Sequence, residues 1–247
     1  MIARPHFSVI MPAYNCKATV AVAIDSVLGQ TYSDFELIAI DDCSSDESAR
    51  ILESYAAKDR RVKVMVSDRN QGVALARNLG ISAAKGRYIT FLDSDDLWLP
   101  EKLEMQYREF CQGASVVFSS YIRFFSDGRE KEIVAPSRAT YKSLLKGNCI
   151  GNLTGAYDSQ VLGKFYQEPV GHEDYLMWLR ILSTGVVACG IRRPLARYRV
   201  GDSSLSGNKT RAARWTWMIY RQKLGLSFPI AAYYFWCYAS ASLLKRM

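Results

Sequence analysis

The sequence predicts an α/β fold with a mixed, largely parallel sheet flanked by helices. Two observations carry this reading. Short β-rich apolar runs alternate with helix-patterned segments through the first hundred residues, as parallel strands joined by crossover helices do. Carboxylates also gather directly after those runs, and ligands of open α/β sheets bind beyond the carboxyl ends of the strands. A third feature, a basic and aromatic C-terminal stretch, predicts a helical appendage.

Phe7-Ser8-Val9-Ile10-Met11 reads as a buried strand broken by Pro12-Ala13-Tyr14-Asn15, and Ala18–Leu28 as a helix capped by Thr19 or Asn15. Phe35–Ile40 is a second strand ending in Asp41-Asp42. Ser44 or Ser45 can cap a helix from Asp46 to Ala57. Val62–Val66, a loop at Asn70-Gln71-Gly72 and a helix over Val73–Ala84 follow. The fourth strand, Tyr88–Leu92, rises from the basic turn Lys85-Gly86-Arg87 and ends in Asp93-Ser94-Asp95-Asp96. Beyond it come a helix over Pro100–Gln112, a strand over Val116–Phe125 and a hairpin-type turn at Asp127-Gly128. Residues 130–150 are weakly patterned. A strand at Asn152–Tyr157, a helix at Glu173–Thr184, closing strands at Val186–Ile191 and Leu195–Val200 and a polar loop at Gly201–Lys209 complete the domain.

The chain has 247 residues, enough for one large domain with an appendage. The division expected is 1–209, with a nucleotide-binding half over 1–112 and an acceptor half over 113–209, then 210–247. Its six cysteines include no Cys-x-x-Cys pair and its two histidines lie far apart, which argues for reduced thiols rather than a zinc site or disulfide frame. The start lacks the apolar core of a signal peptide, so a cytoplasmic protein is expected. Neither Gly-x-x-x-x-Gly-Lys-Ser/Thr nor Gly-x-Gly-x-x-Gly occurs, against ATPase and dinucleotide readings.

What remains is acids with a few basic groups. Three carboxylates within four residues, at Asp93, Asp95 and Asp96, repel one another unless something positive sits among them. A divalent cation bound to a phosphate, Mg²⁺ or Mn²⁺, suits such hard oxygen ligands; a polar turn capping the next helix is the plainer alternative. Tyr14 can stack on a planar base or serve as a rim aromatic. Asp42 can accept from a base N–H or cap a helix. Arg77 can pair with a phosphate or form a surface ion pair. Asp174 can act as a general base or complement the helix dipole at the first turn. His172 can orient a leaving phosphate or sit in an exposed turn.

Taken in order, Ser8–Asn15, Ser26–Tyr32, Asp41-Asp42-Cys43-Ser44-Ser45-Asp46, Gly72–Asn78, Asp93-Ser94-Asp95-Asp96-Leu97-Trp98, Glu173-Asp174, Arg197-Tyr198-Arg199 and Ser204-Leu205-Ser206 resemble the family 2 glycosyltransferases, inverting enzymes of the GT-A fold. The resemblance implies that Tyr14 stacks on uracil or another base and Asp42 hydrogen-bonds it. It implies that Asp93 and Asp95 contact the ribose and the metal, that Asp96 is the direct metal ligand, that Arg77 lies near the diphosphate and that Asp174 is the base. It implies a nucleotide-sugar donor, with UDP expected, a saccharide or lipid-linked saccharide acceptor in bacterial surface polysaccharide synthesis, and Mn²⁺ or Mg²⁺ as cofactor. Cys43 departs from the Gly or Asn usual in the family, and residues 113–171 resemble nothing useful. A nucleotidyltransferase should carry a glycine-rich basic loop where Pro12–Asn15 stands; a non-catalytic sugar-nucleotide-binding protein should have lost some of these acids.

The net charge of +8 resides in the tail. From Arg192 onward eleven Lys or Arg face one acid, Asp202. Residues 224–244 carry no charge but are rich in Tyr, Trp and Ser, which suits a membrane interface rather than a span. Two helices, Thr210–Leu224 and Pro229–Lys245, are expected on the inner face of the cytoplasmic membrane, with basic flanks near anionic headgroups. The second could pack instead on the domain or on another subunit of a homo-oligomer. No basic groove motif points to nucleic acid.

Overall fold

The computed structural model of the protein describes residues 5–201 and 209–244. Ser204-Leu205-Ser206, most of the polar loop around it and the basic pair Lys245-Arg246 lie outside the described residues. The first half runs β1 (Phe7–Ala13), α1 (Val20–Leu28), β2 (Phe35–Asp41), α2 (Ser48–Lys58), β3 (Val62–Val66), α3 (Val73–Ala83) and β4 (Tyr88–Phe91). The second runs β5 (Leu97–Trp98), α4 (Lys102–Cys111), β6 (Val116–Phe125), β7 (Glu130–Ile133), β8 (Arg138–Ala139), α5 (Tyr141–Leu145), β9 (Ala156–Asp158), α6 (Ser159–Leu162), α7 (Glu173–Ser183) and β10 (Ala188–Val200). Helices α8 (Lys209–Met218) and α9 (Phe228–Leu244) form the appendage.

These strands make one mixed sheet in the order β3-β2-β1-β4-β9-β6-β10-β5, with β7 beside β6 and β8 beside β10. The first four are parallel; β9 enters antiparallel to both β4 and β6, and β6 and β10 are again parallel. Side chains on a strand alternate between faces. In β1, Phe7, Val9 and Met11 join the layer of Val20, Ile24, Val27 and Leu103, while Ile10 joins the layer of Ile81, Phe91 and Trp178. The parallel strands are therefore covered on both faces, which is why they read as nearly continuous apolar runs.

Strand β1 extends through Pro12, where the sequence suggests a break. The Ile10 carbonyl accepts the Leu92 N–H just past β4, so Pro12 faces the same side two residues on, beyond the end of β4, where no N–H is needed. The basic turn before β4 is glycine for a steric reason: a Cβ on Gly86 would lie 2.6 Å from the backbone of Phe7 and Ser8. Its N–H donates to Ser8 Oγ at 2.8 Å, and the Lys85 N–H to the buried Glu36 carboxylate at 2.7 Å. The closing strands are one long strand, β10, with register irregularities on either side of Pro194. The weakly patterned stretch resolves into β7, β8 and α5. None of the six cysteines is in a disulfide.

The appendage packs on the domain. After α8 the chain continues as a π-helical turn, Ile219–Lys223, whose Ile219 and Tyr220 are fully buried. Helix α9 buries Ala231 and lays Tyr234 and Phe235 against the core, and leaves Phe228, Ile230, Tyr233 and Trp236 exposed.

Candidate active site

Parallel pairing of β2, β1 and β4 brings their carboxyl ends to one edge. Tyr14 stands exposed just past β1. Asp41 ends β2 and accepts the Ser44 N–H at 3.0 Å. The next residue, Asp42, is buried, and its carboxylate accepts the backbone N–H groups of Gln71, at 3.0 Å, and Gly72, at 2.7 Å. Of the candidates it is the one whose oxygens already hold a loop, tying the entry of α3 to β2. The loops after β1 and β2 are laced together by Asn15, which receives Ser45 N–H at 2.8 Å, and both bend through left-handed residues, Asn15 at φ 47° and Cys43 at φ 62°. That conformation favours glycine and asparagine and is unfavourable to a cysteine by about 1–2 kcal/mol. It accounts for the small residue expected at position 43.

The positive partner demanded by the acidic cluster is supplied in part by the protein. Arg77 on α3 is buried, and donates to Asp93 Oδ1 at 2.6 Å and to Gln167 Oε1 at 3.0 Å. Its Nε has no acceptor among the described residues. Gln167 is in turn held by Asn78 through a reciprocal pair at 2.7 and 2.8 Å. Burial works against the Arg77 charge, but Asp93, then Asp174 and Glu173, outweigh it and hold the guanidinium protonated.

Asp95 and Asp96 differ in burial. Asp95 is exposed, whereas Asp96 is 1% exposed and accepts the Arg199 N–H at 2.8 Å. Arg199 Nε also donates to the Asp95 carbonyl at 2.9 Å, so β10 grips the acidic loop. Loss of solvent, then the charge of Asp93, raises Asp95; burial, then Asp93 and Asp95, raises Asp96 well above the usual range. A carboxyl with a folded-state pKa above its unfolded value supports the fold below the unfolded pKa and loses that support as pH rises through the folded one. Asp96→Asn, measured in EDTA, should therefore melt higher than wild type at pH 7, with the difference shrinking toward pH 4. An unchanged or lower melting temperature at pH 7 would show that Asp96 carries no such penalty.

Asp174 lies in the first turn of α7, whose Trp178 is wedged against Gly155 and packs edge-on to Phe91 and Tyr157. The Asn148 amide approaches Asp174 Oδ2 at 3.5 Å. Burial raises the Asp174 pKa, opposed by the charges of Arg77 and His172. The β6 residue Tyr121 feels both Asp96 and Asp174, which raise its pKa after burial does, and meets Tyr198 of β10 edge-on. The structure thus brings Arg77, Asp93, Asp95, Asp96 and Asp174 within electrostatic reach of one another, with Tyr14 and Asp42 at the neighbouring strand ends.

Gln167 and Lys102 are the site-supporting residues that sequence reasoning misses. Gln167 is an isolated polar residue in an unpatterned stretch and leaves no signal. Lys102 is fully buried and donates to Thr90 Oγ1 at 3.1 Å and Gln106 Oε1 at 2.9 Å, with its amine 3.8 Å from the Trp98 ring centroid. Burial pushes its pKa well down. Thr90 and Trp98 flank the acidic loop on both sides, so this network anchors it. Its signal was the helical phase: Lys102, Leu103, Gln106 and Phe110 share the buried face of α4.

The profile described as Glycosyl transferase family 2 matches residues 8–166. The chain belongs to this glycosyltransferase family. Asp174 lies beyond the matched segment, but relatives extend over it. TuaG of Bacillus subtilis, named for teichuronic acid biosynthesis, is 39% identical over 99% of this chain and 98% of its own. WfgD of Escherichia coli, a UDP-Glc:alpha-D-GlcNAc-diphosphoundecaprenol beta-1,3-glucosyltransferase, is 38% identical over 85% of this chain and 83% of its own. Among solved structures, S. aureus TarS in complex with UDP-GlcNAc matches at a TM-score of 0.69 and 21% identity, covering 87% of this chain and 66% of that one. A Pyrobaculum calidifontis mannosyltransferase with GDP-Man and Mn²⁺ matches at 0.68 and 19%, covering 98% and 74%. At these identities the likeness is one of fold, and it is the GT-A fold of this glycosyltransferase family.

Proposed function

We propose that this family 2 glycosyltransferase moves a sugar from a UDP-sugar to a hydroxyl of a saccharide carried on a lipid diphosphate, inverting the anomeric carbon. One observation carries the reading: the buried Arg77 is ion-paired to Asp93 of the acidic loop and lies in the field of Asp174, so donor-side acids and a candidate base surround a single cation. The names of TuaG and WfgD support the substrate class.

In this reading Tyr14 stacks on the uracil and Asp42 holds the loop beneath it, with lone pairs left for a base N–H. Arg77 orients Asp93 toward the ribose and offers its uncommitted Nε to the diphosphate. A divalent cation, Mn²⁺ or Mg²⁺, suits the crowded carboxylates Asp95 and Asp96, whose pKa values are raised by burial and then by one another's and Asp93's charge; when bound it would neutralise the diphosphate leaving group. Among the described residues no three His, Cys, Asp or Glu side chains form a ready cage, so phosphate oxygens and water would complete the coordination. The exposure of Asp95 makes it the better direct ligand, and Asp96 its support. Asp174 takes the proton of the acceptor hydroxyl as that oxygen attacks the anomeric carbon. The new C–O bond forms opposite the breaking bond to UDP, and an α-linked donor yields a β-linkage.

The test is a transfer assay with Mn²⁺, UDP-glucose and related donors, and a short-chain lipid diphosphate bearing N-acetylglucosamine. Acceptor-dependent UDP release with a β-linked product on NMR is expected. An α-linked product, or no acceptor-dependent release from any UDP-sugar, would overturn the proposal.

The appendage suits work at the inner face of the cytoplasmic membrane. No helix among the described residues is long and apolar enough to span a bilayer. Helix α9 instead presents Trp236, 68% exposed, and Phe228, 64% exposed, with Tyr233 between them, and follows the basic stretch that holds Lys209, Arg211, Arg214, Arg221 and Lys223. Co-sedimentation with anionic vesicles is expected, weakened by salt and reduced several-fold in a Tyr233→Ser, Trp236→Ser variant. Wild-type protein left in the supernatant at low salt, or a variant that binds equally, would remove the membrane reading.

A further inference from the structure

We infer that the C-terminal helices are part of the acceptor machinery, and that Trp215, Tyr220 and Lys223 are positioning residues for Asp174. The inference rests on the proposed role of Asp174 as the base. It concerns the strap from Gln167 to His172 that leads into α7. One end of the strap holds the donor side, since Gln167 accepts from Arg77. The other end runs directly into Asp174.

The appendage grips this strap and the first turn of α7 at three separate points. Near the start of the strap, Glu168 is shared by Arg180 of α7, at 2.5 Å, and Lys223 of the π-helical turn, at 2.7 Å. At its end, the indole of Trp215 on α8 lies flat on Gly171: a Cβ there would come within 2.2 Å of the ring, and the glycine sits at φ 87°. The His172 ring meets the same indole edge-on, with centroids 5.2 Å apart. One residue past Asp174, Tyr175 shares a buried hydrogen bond of 2.9 Å with Tyr220, and both hydroxyls reach the end of α5, Tyr175 to Leu144 O and Tyr220 to Leu145 O. Asp174 is thus bracketed in sequence by contacts from one appendage. Helix packing that served only to attach α8 would bury apolar surface anywhere on the domain. Here a flat aromatic, a phenol and an ammonium converge on the residues that aim one carboxylate.

General-base catalysis depends on the geometry of the base, and a displacement of about 1 Å can cost about a hundredfold in rate. Loosening the strap should therefore lower turnover without touching the uridine end of the cleft. The appendage has two jobs on its two faces: α9 outward, and α8 with its π-helical turn inward onto the base.

The test uses full-length protein without vesicles and a water-soluble, short-chain acceptor, so that membrane attachment plays no part. Trp215→Ala should lower kcat by about 10- to 100-fold, with UDP affinity by calorimetry within about twofold of wild type. Trp215→Phe, which keeps a flat ring on Gly171, should recover most of the loss. Lys223→Met, a surface change that removes the appendage's hold on Glu168 and leaves Arg180 on it, should lower kcat by a smaller factor, and it decides the matter should Trp215→Ala not fold. Native kcat in both Trp215→Ala and Lys223→Met would overturn the inference. So would a loss of UDP affinity in proportion to kcat, which marks general damage. Asp174→Asn in the same assay separates the two readings: wild-type turnover there removes the base and this inference together, whereas an inactive Asp174→Asn beside a native Trp215→Ala removes this inference alone.

Discussion

Asp174→Asn is expected to lower sugar transfer by about three orders of magnitude, within the range for loss of a general base, with UDP affinity almost unchanged. The carboxylate sits in the first turn of α7, in the field of Arg77 and His172. Calorimetry with UDP and a transfer assay separate the two effects. A pH profile adds a signature. The base works deprotonated, and burial raises its pKa, so the acid limb of kcat/KM should lie above that of an ordinary aspartate. Activity is lost as pH falls through that raised value. Arg77 opposes the shift, so Arg77→Met should move the limb further up. Wild-type transfer in Asp174→Asn would end the assignment.

Chelation should abolish donor turnover, and Asp95→Asn should reduce it by at least about a hundredfold, since neutralising a diphosphate leaving group is worth several kcal/mol. The sequence alone directs this expectation to Asp96. We place it on Asp95 instead, because Asp96 is buried and bonded to the β10 backbone while Asp95 is exposed. Titrating Mn²⁺ against initial rate reads the difference: Asp95→Asn should need far more Mn²⁺ for half-saturation, and Asp96→Asn should change mainly the melting curve. Full activity in EDTA would remove the cation from the mechanism. A normal Mn²⁺ curve in Asp95→Asn with a ruined one in Asp96→Asn would restore the original assignment.

The first half of the sheet is legible in the sequence because its strands are locally encoded, and three of the candidate site segments follow shortly after a strand ends. Tyr14, Asp42 and the acidic loop are found by finding where apolar runs stop. The second half of the sheet hides its logic in non-local pairing. β8 is two residues long and exists only because it meets Ala188 and Cys189 of β10; nothing within residues 130–150 encodes it. β9 is recognisable as extended, but its antiparallel insertion between β4 and β6 is a property of the sheet. Arg77 looks like a surface cation because a helix arginine usually is one. What buries it is Gln167, ninety residues away in sequence. The tail shows the same limit. Its aromatic content suggests an interface, but only the fold reveals that Trp215 and Tyr220 face inward while Tyr233 and Trp236 do not.

The insertion of β9 bears on how the chain leaves the ribosome. Strands β1 to β4 are complete once Phe91 has emerged, and the parallel half can then assemble in order of synthesis. One side of β4 nevertheless stays unpaired until Ala156–Asp158 arrives to cover it. At translation rates of roughly 5–20 residues per second, that leaves an apolar strand edge, Tyr88–Phe91, open for several seconds. Such an edge invites pairing with another nascent chain. Here it is bounded by Lys85 and Arg87 on one side and by Asp93, Asp95 and Asp96 on the other. Flanking charges of this kind act as gatekeepers against aggregation. The carboxylates that crowd the finished cleft thus guard the half-made sheet before there is a cleft for them to serve.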